Sequence, residues 1–163
     1  IRQRVLALPA VSRAREVAVY LSVADEVDTW ELSRRLLERG VRVYAPKIEG
    51  KTLTWGLLAS HPPEGLVRGP YRGILEPPWG WPAHQVRPQV AVVPVVGFDA
   101  QGYRIGYGGG YYDRTLAQWK DAVRVGVAFE CQRVHRLPRE PHDLPLHWVV
   151  TESSVTPGAA PPD

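Results

Sequence analysis

The sequence predicts an α/β fold built around an open, mostly parallel sheet. Short runs of β-branched and apolar residues alternate with helical patterns along the chain, which is typical of this class. One unit is complete, with a strand at 17–21, a helix that starts at residue 28 and a second strand at 41–45. A length of 163 residues fits one domain, and we expect residues 1–155 to form it and residues 156–163 to be a flexible tail.

The first half of the chain predicts two helices in addition to its strands. Residues 1–8 are typical of the end of a helix that Pro9 stops, and since no initiator methionine precedes them we expect this helix to be incomplete. The second helix has Asp28 as its N-cap and Glu31 three residues further on. Its apolar stripe consists of Leu32, Leu36 and Leu37. A third strand is expected at 52–58.

The second half predicts a central strand and two further strands. Residues 60–88 are rich in Pro, Gly and Trp, which indicates long surface loops. Residues 90–96 form the central strand, and Pro94 must lie near its end because proline cannot donate to the hydrogen-bond ladder. The other strands are expected at 124–129 and 148–151. Helical spacing is shown by Tyr112, Leu116 and Trp119.

Composition limits the classes of protein to which the chain can belong. The hydrophobic fraction of 44% is sufficient for a buried core, and no apolar run is long enough to span a bilayer. The net charge is +3 and the pI about 9.2, but the basic residues are scattered, which favours an anionic small molecule over nucleic acid. The single cysteine, Cys131, excludes an internal disulfide and is expected to be buried. The single cysteine and the lack of a recognisable secretory signal together indicate a cytoplasmic protein.

A glycine-rich segment joins the central strand to the helix that follows. In an open parallel sheet this place is the crevice at the carboxyl ends of the strands, where ligands bind. Successive backbone N–H groups and a helix N-terminus form a cradle for an anion such as phosphate. The pattern is neither a Walker loop nor a dinucleotide fingerprint, so from glycine alone a phosphate cradle and a purely structural turn both remain open. Its glycines are Gly106, Gly108, Gly109 and Gly110.

The run at residues 96–114 resembles the signature of the 5-formyltetrahydrofolate cyclo-ligases, also called 5,10-methenyltetrahydrofolate synthetases. It is Val-Gly-Phe-Asp-Ala-Gln-Gly-Tyr-Arg-Ile-Gly-Tyr-Gly-Gly-Gly-Tyr-Tyr-Asp-Arg. Weaker features agree with the family in order and spacing: Tyr20-Leu-Ser, Glu26-Val-Asp-Thr, Ile74-Leu-Glu-Pro, Val125-Gly-Val-Ala-Phe, Leu137-Pro and His142-Asp. The resemblance covers residues 17–151, thinly between 51 and 71. It implies a three-layer fold with helices on both faces of the sheet, resembling the sugar-phosphate isomerase and CoA-transferase-like folds.

The resemblance implies an enzyme, with residues 1–155 as its catalytic domain. Members of the family are ligases that use ATP and Mg²⁺ to cyclise 5-formyltetrahydrofolate to 5,10-methenyltetrahydrofolate, releasing ADP and phosphate. The formyl oxygen attacks the γ-phosphate of ATP, N10 then adds to the activated carbon, and phosphate leaves. The expected partners are a reduced folate and ATP, without nucleic acid or membrane, and the expected assembly is a monomer or a small homo-oligomer.

By the same resemblance, the glycine-rich segment holds the phosphates of ATP. Arg104 and Tyr111 are the expected catalytic residues. The alternatives for Arg104 are a surface position or an ion pair with Asp99. One of Tyr111 and Tyr112 is expected to be mainly structural. The expected phosphate-binding residues are Arg104, Ile105, Gly106, Tyr107, Gly108, Gly109, Gly110, Tyr111 and Tyr112.

The resemblance also implies a metal site and a folate site. Asp113 and Asp143 are the expected Mg²⁺ ligands, since this ion takes one or two carboxylates besides phosphate oxygens and water. Asp113 has the alternative role of stabilising the first turn of its helix, and Asp143 that of forming a turn. The implied folate contacts are Val23, Glu26, Asp28, Tyr107 and Tyr111, of which Glu26 has no competing local role whereas Asp28 is also the predicted N-cap. Metal-ligand spacing is absent from the histidines, His61, His84, His135, His142 and His147.

The sequence departs from the family pattern in two respects and leaves two alternatives open. The family's first helix begins with a basic segment that helps to hold ATP, and we expect this sequence to enter that helix late. Gly109 and Tyr107 stand where some members carry Lys and Arg, so fewer side-chain cations face the phosphates. One alternative is a relative that uses the same cradle for another ligand, such as a sugar phosphate. The other is an RNA-binding protein. The high pI favours it, but the sequence lacks the aromatic-basic sheet motif that such proteins use.

Overall fold

The computed structural model describes residues 1–59 and 64–162. Over these ranges its helices are α1 (Arg2–Ala7), α2 (Pro9–Ser12), α3 (Trp30–Glu38) and α4 (Tyr111–Gln118). Its strands are β1 (Glu16–Val19), β2 (Arg42–Glu49), β3 (Thr52–Leu57), β4 (Val67–Arg68), β5 (Leu75–Glu76), β6 (Trp81–Pro82), β7 (Val90–Pro94), β8 (Gly97–Phe98), β9 (Arg104–Ile105), β10 (Val123–Val127), β11 (Trp148–Val150) and β12 (Val155–Pro157). Every helix in these ranges is too short or too polar to cross a bilayer.

A mixed sheet of eight strands organises the described residues. Its order is β12-β11-β10-β7-β1-β2-β3-β6. The run from β11 through β10, β7 and β1 to β2 is parallel throughout, whereas β12, β3 and β6 pair antiparallel at the two sides. Parallel strands buried on both faces are continuous in apolar residues, as β7 is. The predicted α/β fold with a mostly parallel sheet is therefore confirmed.

Helices cover both faces of this sheet, as the three-layer prediction requires. Along β1, Val17 and Val19 face a core that includes apolar side chains of α1, α2 and α3. The intervening residue, Ala18, faces a second core that includes Leu116 of α4 and Trp119. Successive side chains of a strand point to opposite faces, so this alternation places α1–α3 on one face and α4 on the other.

The start of α3 differs by one residue from the prediction. The helix begins at Trp30, with Thr29 rather than Asp28 as its N-cap. The Asp28 carboxylate still accepts a hydrogen bond from the Trp30 backbone N–H (2.9 Å), so it stabilises the first turn. The buried Thr29 hydroxyl instead donates to the Tyr20 carbonyl (2.5 Å) and accepts from the Ser22 N–H (3.0 Å). Thr29 therefore ties the helix start to the end of β1.

Of the two predictions that rest on proline geometry, the one for Pro94 is confirmed and the one for Pro9 is confirmed in part. The first helix, α1, ends before Pro9, but Pro9 then begins α2 as its first residue, where a missing N–H is tolerated. Pro94 is the last residue of β7, so the strand loses no internal ladder bond.

The region expected to form long loops contains short elements. The hairpin of β4 and β5, the edge strand β6 and a 3-10 turn at Ala83–Gln85 lie within residues 64–88. These strands have two residues each, which is too short for a periodic pattern to appear in the sequence. The part of the predicted loop at 60–63, with His61, lies outside the described residues.

The C-terminal residues differ from the expected flexible tail. Val155–Pro157 form β12 against β11, and the N–H groups of Gly158 and Ala159 donate to the carbonyls of His147 (2.9 Å) and Leu146 (3.0 Å). A side chain at Gly158 would lie 2.1 Å from the Leu146 oxygen, so glycine permits this close approach. The expected boundary after residue 155 is wrong, because pairing continues beyond it.

The prediction for the single cysteine is also wrong. Cys131 is exposed, on a 3-10 turn at Glu130–Gln132 that follows β10. A turn of three residues after a strand has no buried face, which explains why a residue type that is usually buried is found at the surface here.

Candidate active site

A cavity of about 710 Å³ opens at the carboxyl ends of β1 and β7. Tyr20 and Leu21 follow β1, Pro94 ends β7, and all three line it. The whole segment 104–113 also lines the cavity. This is the edge of a parallel sheet at which α/β proteins bind ligands, so the predicted phosphate segment lies where the sheet topology requires.

The structure brings together most of the predicted site residues, but not all of them. Glu26 and Asp143 line the same cavity as the segment 104–113, although they are far from it in sequence. Val23 and Asp28, which were expected to contact folate, lie outside the lining. Val23 acts through its backbone instead, since its N–H donates to Glu26 Oε1 (2.9 Å).

Arg104 is a buried cation that faces the cavity. Its side chain is 6% exposed, and Nη2 lies 3.4 Å from Asp113 Oδ1. Nη1 lies 3.4 Å from the Pro94 carbonyl oxygen, and Nε has no hydrogen-bond partner among the described residues. A side chain at Gly106 would come within 2.8 Å of Nη1, so glycine leaves room for the guanidinium. A buried guanidinium with an unsatisfied N–H is suited to binding an anion.

Neither alternative for Arg104 is found. It is not at the surface, and Asp99 pairs with Arg139 rather than with it. Burial lowers the pKa of Arg104, and the nearby Asp113 carboxylate opposes that shift. An arginine remains protonated in a protein despite such a shift, so the cavity contains a fixed positive charge.

The glycine segment adopts a backbone that most residues avoid. Gly108 has φ 92° and Gly110 has φ 68°, both in the left-handed region that favours glycine. Gly110 is the N-cap of α4, so the segment leads directly into the N-terminus of a helix whose first residues line the cavity. The positive end of the helix dipole therefore adds to the charge of Arg104.

The two adjacent tyrosines have different surroundings. Tyr111 donates its hydroxyl hydrogen bond to the Gly50 carbonyl (3.1 Å), at the turn between β2 and β3. Tyr112 packs its ring edge-on against Trp55 at 6.2 Å and lies under the Arg104 guanidinium at 5.7 Å. Burial raises the pKa of Tyr112, while Arg104 lowers it. Tyr112 thus fits the mainly structural role that was expected for one of the pair.

Glu26 and Tyr107 meet across the cavity. The Tyr107 hydroxyl donates to Glu26 Oε2 at 3.1 Å, although the two residues are 81 positions apart in the sequence. Burial and the Glu26 carboxylate both raise the pKa of Tyr107, so the phenol stays protonated as a donor. The contact places one carboxylate and one hydroxyl together at the side of the cavity next to β1.

Asp113 and Asp143 are 30 positions apart in the sequence but act on the same guanidinium, that of Arg104. Both carboxylates oppose the lowering of the Arg104 pKa, and both line the cavity. The Asp113 side chain is 46% exposed in the first turn of α4, and Asp143 is 31% exposed in a turn where Oδ2 accepts the Glu140 N–H (2.7 Å). Within 1–59 and 64–162 no group of three or more His, Cys, Asp or Glu side chains is arranged to hold a metal ion.

Glu76 is a polar cavity residue to which sequence analysis assigned no role. Its side chain is 5% exposed; it lines the cavity, and Oε1 lies 3.2 Å from Lys47 Nζ. Oε2 accepts the Ile48 N–H at 3.1 Å. The partners are 28 and 29 positions away on another strand, so only the Glu-Pro step of the family pattern marked this residue.

Comparisons with known proteins show the family to which the chain is similar. The model of the 5-formyltetrahydrofolate cyclo-ligase family matches residues 1–152. The 5-formyltetrahydrofolate cyclo-ligase of Escherichia coli K12 is 40% identical over 162 residues, which cover 93% of this chain and 86% of that protein. The Haemophilus influenzae protein of the same name is 34% identical over 152 residues, covering 90% and 80%. The NMR structure of Aquifex aeolicus 5,10-methenyltetrahydrofolate synthetase superposes with a TM-score of 0.79 at 35% identity, over 96% of this chain and 78% of that one.

Proposed function

This chain belongs to the 5-formyltetrahydrofolate cyclo-ligase family and is a ligase, and we propose that it cyclises 5-formyltetrahydrofolate to 5,10-methenyltetrahydrofolate with ATP and Mg²⁺. The observation that carries the proposal is the largely buried Arg104 side chain, which lines the cavity in one segment with the left-handed glycines Gly108 and Gly110. This arrangement supports binding of a phosphate chain.

The proposed reaction has two steps. The formyl oxygen attacks the γ-phosphorus of ATP, the bond from that phosphorus to ADP breaks, and the formyl carbon becomes an activated iminium phosphate. N10 of the same folate then adds to this carbon and loses its proton, the carbon–oxygen bond breaks, and phosphate leaves with that proton as hydrogen phosphate. Such a sequence depends on positioning and charge stabilisation more than on acid–base groups.

Arg104 is proposed to stabilise the charge of the transferred phosphoryl group. Its guanidinium contacts the Pro94 carbonyl through Nη1 and Asp113 through Nη2, each at 3.4 Å, and a phosphate oxygen is proposed to replace one of these long contacts. A cation in a site of low effective dielectric interacts more strongly with developing charge than one in water. The backbone of 105–112 is proposed to hold the remaining phosphate oxygens.

The residues present fit a magnesium ion. Asp113 and Asp143 offer carboxylate oxygens in one cavity, and Mg²⁺ takes one or two carboxylates with water and phosphate oxygens completing its octahedron. When bound, the ion would supply neutralisation of phosphate charge.

The folate is proposed to contact Glu26, Tyr107 and Tyr111. Glu26 is the carboxylate of this group and already accepts one hydroxyl and one backbone N–H, so its remaining lone pairs can accept N–H groups of the reduced pterin. We propose a cytoplasmic location, because a chain with a single cysteine does not depend on an internal disulfide and so suits a reducing compartment.

The test is an assay of the purified protein with Mg·ATP and 5-formyltetrahydrofolate, following the absorbance of the methenyl product. We expect turnover by the unaltered protein and a loss of at least about 100-fold in kcat for Arg104→Ala. The matched control is Arg39→Ala, which removes an exposed arginine at the end of α3 and should leave kcat unchanged. Absence of turnover together with tight binding of a sugar phosphate would contradict the proposal.

A further inference from the structure

Asp99 is a fully buried carboxylate in the segment 96–114 to which the proposed reaction gives no role. Its Oδ1 accepts hydrogen bonds from the backbone N–H groups of Gln101 (3.0 Å) and Tyr103 (3.1 Å). Its Oδ2 accepts from the Leu137 N–H (3.0 Å) and from Arg139 Nη2 (3.1 Å). A buried charge is tolerated when it is paired and hydrogen-bonded in this way.

Arg139 completes the cluster from a different part of the chain. Besides Asp99, its Nη2 donates to Gln101 Oε1 at 2.9 Å. Its guanidinium also lies over the Tyr103 ring, with Cζ 4.1 Å from the ring centroid. The side chain is 21% exposed, so the pair with Asp99 is largely shielded from solvent. Three separate contacts therefore hold Arg139 against the turn between β8 and β9.

These contacts join the two segments that contain the proposed metal ligands. On one side, Tyr103 is followed directly by Arg104, which pairs with Asp113. On the other side, Leu137 and Arg139 precede Asp143 by six and four residues. The Glu140 N–H donates to Asp143 Oδ2, so the position of the Asp143 carboxylate depends on the backbone next to Arg139.

We infer that Asp99 and Arg139 are positioning residues that set the distance of the Asp143 carboxylate from Arg104 and Asp113. Neither is expected to contact the substrates. The inference rests on the proposed function, because this distance matters only if Asp113 and Asp143 bind one magnesium ion. Residues behind a metal ligand commonly change metal affinity or activity by about 10- to 100-fold when they are altered.

The experiment compares three variants with a control of reduced stability. Arg139→Met keeps much of the side-chain length but removes the charge, Arg139→Lys keeps the charge, and Asp99→Asn keeps the shape of the carboxylate. The control is Val11→Ala, which removes a buried side chain of α2 in the core on the other side of the sheet from α4. For each protein we would measure exchange of the Leu137 amide hydrogen, binding of ADP at graded Mg²⁺ by calorimetry, and the Mg²⁺ concentration for half-maximal turnover.

In Arg139→Met and Asp99→Asn, we expect Leu137 exchange to quicken about tenfold or more and the Mg²⁺ requirement to rise about tenfold. Arg139→Lys, unlike Arg139→Met, should keep most of the magnesium affinity of the unaltered protein. Val11→Ala should lower the melting temperature without changing the Mg²⁺ requirement. The inference is overturned if Val11→Ala raises the Mg²⁺ requirement as much as Arg139→Met does. It is also overturned if exchange quickens in Arg139→Met while the Mg²⁺ requirement stays unchanged.

The two proposals can fail separately. If the unaltered protein neither turns over 5-formyltetrahydrofolate nor binds ADP with Mg²⁺, the proposed function fails, whatever the exchange data show. If the unaltered protein is active and the Arg139 and Asp99 variants need no more Mg²⁺ than it does, the proposed function stands and the positioning role is refuted.

Discussion

At the scale of single residues, the site depends on one buried charge whose partners are incomplete. Asp113 and the Pro94 carbonyl each approach Arg104 at 3.4 Å, which is long for a charge-assisted hydrogen bond. A ligand phosphate that reached the same guanidinium at a normal distance would form a stronger contact than either. Arg104 is therefore arranged to exchange weak protein partners for a strong ligand partner.

Tyr107 allows the folate and phosphate contributions of one residue to be separated. Its backbone is proposed to serve the phosphates, whereas its hydroxyl donates to Glu26. We expect Tyr107→Phe to raise KM for 5-formyltetrahydrofolate about 10-fold, because a hydrogen bond to a charged group contributes about 1.5–3 kcal/mol. KM for ATP in the same variant is the internal control and should stay within about twofold of the unaltered value. Equal changes in the two KM values would show that the Tyr107 hydroxyl has no specific effect on folate binding.

At the scale of elements, His147 links β10 to β11 and makes that junction sensitive to pH. Its Nδ1 accepts the Arg124 N–H at 2.7 Å, and burial, followed by the Arg124 charge, lowers its pKa from 6.5 to about 4. The folded protein thus resists protonation that the unfolded chain accepts. Stability from this residue is fully present above pH 6.5 and is lost as the pH falls towards about 4.

We expect the free energy of unfolding to decrease by about 2 kcal/mol between those two pH values on account of His147. The measurement is urea unfolding at a series of pH values. His147→Asn supplies an oxygen in place of Nδ1 without a titrating group, so it should flatten the slope in this range. An unchanged slope in His147→Asn would assign the pH dependence to other residues.

The edge strand β12 gives a second prediction at this scale. Removing residues 155–163 deletes its ladder with β11 and the two hydrogen bonds donated by Gly158 and Ala159. We expect the unfolding free energy to fall by about 2–4 kcal/mol, at about 1 kcal/mol for each hydrogen bond, as measured by thermal or urea unfolding. Removing only residues 161–163 is the control and should have little effect. If the longer truncation were equally neutral, the tail would not be part of the sheet in solution.

Element length decided what could be predicted from the sequence. The five-residue strands β7 and β10 were anticipated because a buried parallel strand shows a continuous apolar run. The two-residue strands β4, β5 and β6 were not, because a pair of residues has no period. β12 was missed for a related reason, since its Pro and the Gly that follows are more typical of a loop than of an edge strand.

At the scale of the whole molecule, the cavity couples ligand binding to global stability. Its walls come from both ends of the chain, from Tyr20 to Asp143, so a ligand that fits it binds only the folded state. We expect Mg·ATP at 100 times its dissociation constant to stabilise the protein by about 2.7 kcal/mol, measured as a rise in melting temperature. At the same Mg·ATP concentration, Arg104→Ala should show little of this rise, while Arg39→Ala should show all of it. A rise of the same size in Arg104→Ala would place the nucleotide elsewhere.

The same long separations explain which parts of the site the sequence could reveal. The segment 104–113 is contiguous, so its glycines, its arginine and its first-turn aspartate could be recognised together. The pairs Lys47–Glu76 and Asp99–Arg139 could not, because their members are 29 and 40 positions apart and become neighbours only in the folded chain. Sequence also could not show that Val23 would serve Glu26 through its backbone.

Two contacts tie the end of the glycine segment to the turn between β2 and β3. Tyr111 donates to the Gly50 carbonyl and Arg114 to the Lys51 carbonyl, which are 61 and 63 positions earlier in the chain. The glycine segment therefore cannot take its final shape until the β2–β3 hairpin has formed, and contacts this distant in sequence form slowly. A chain emerging from the ribosome would therefore complete this part of its sheet before it formed the proposed phosphate site.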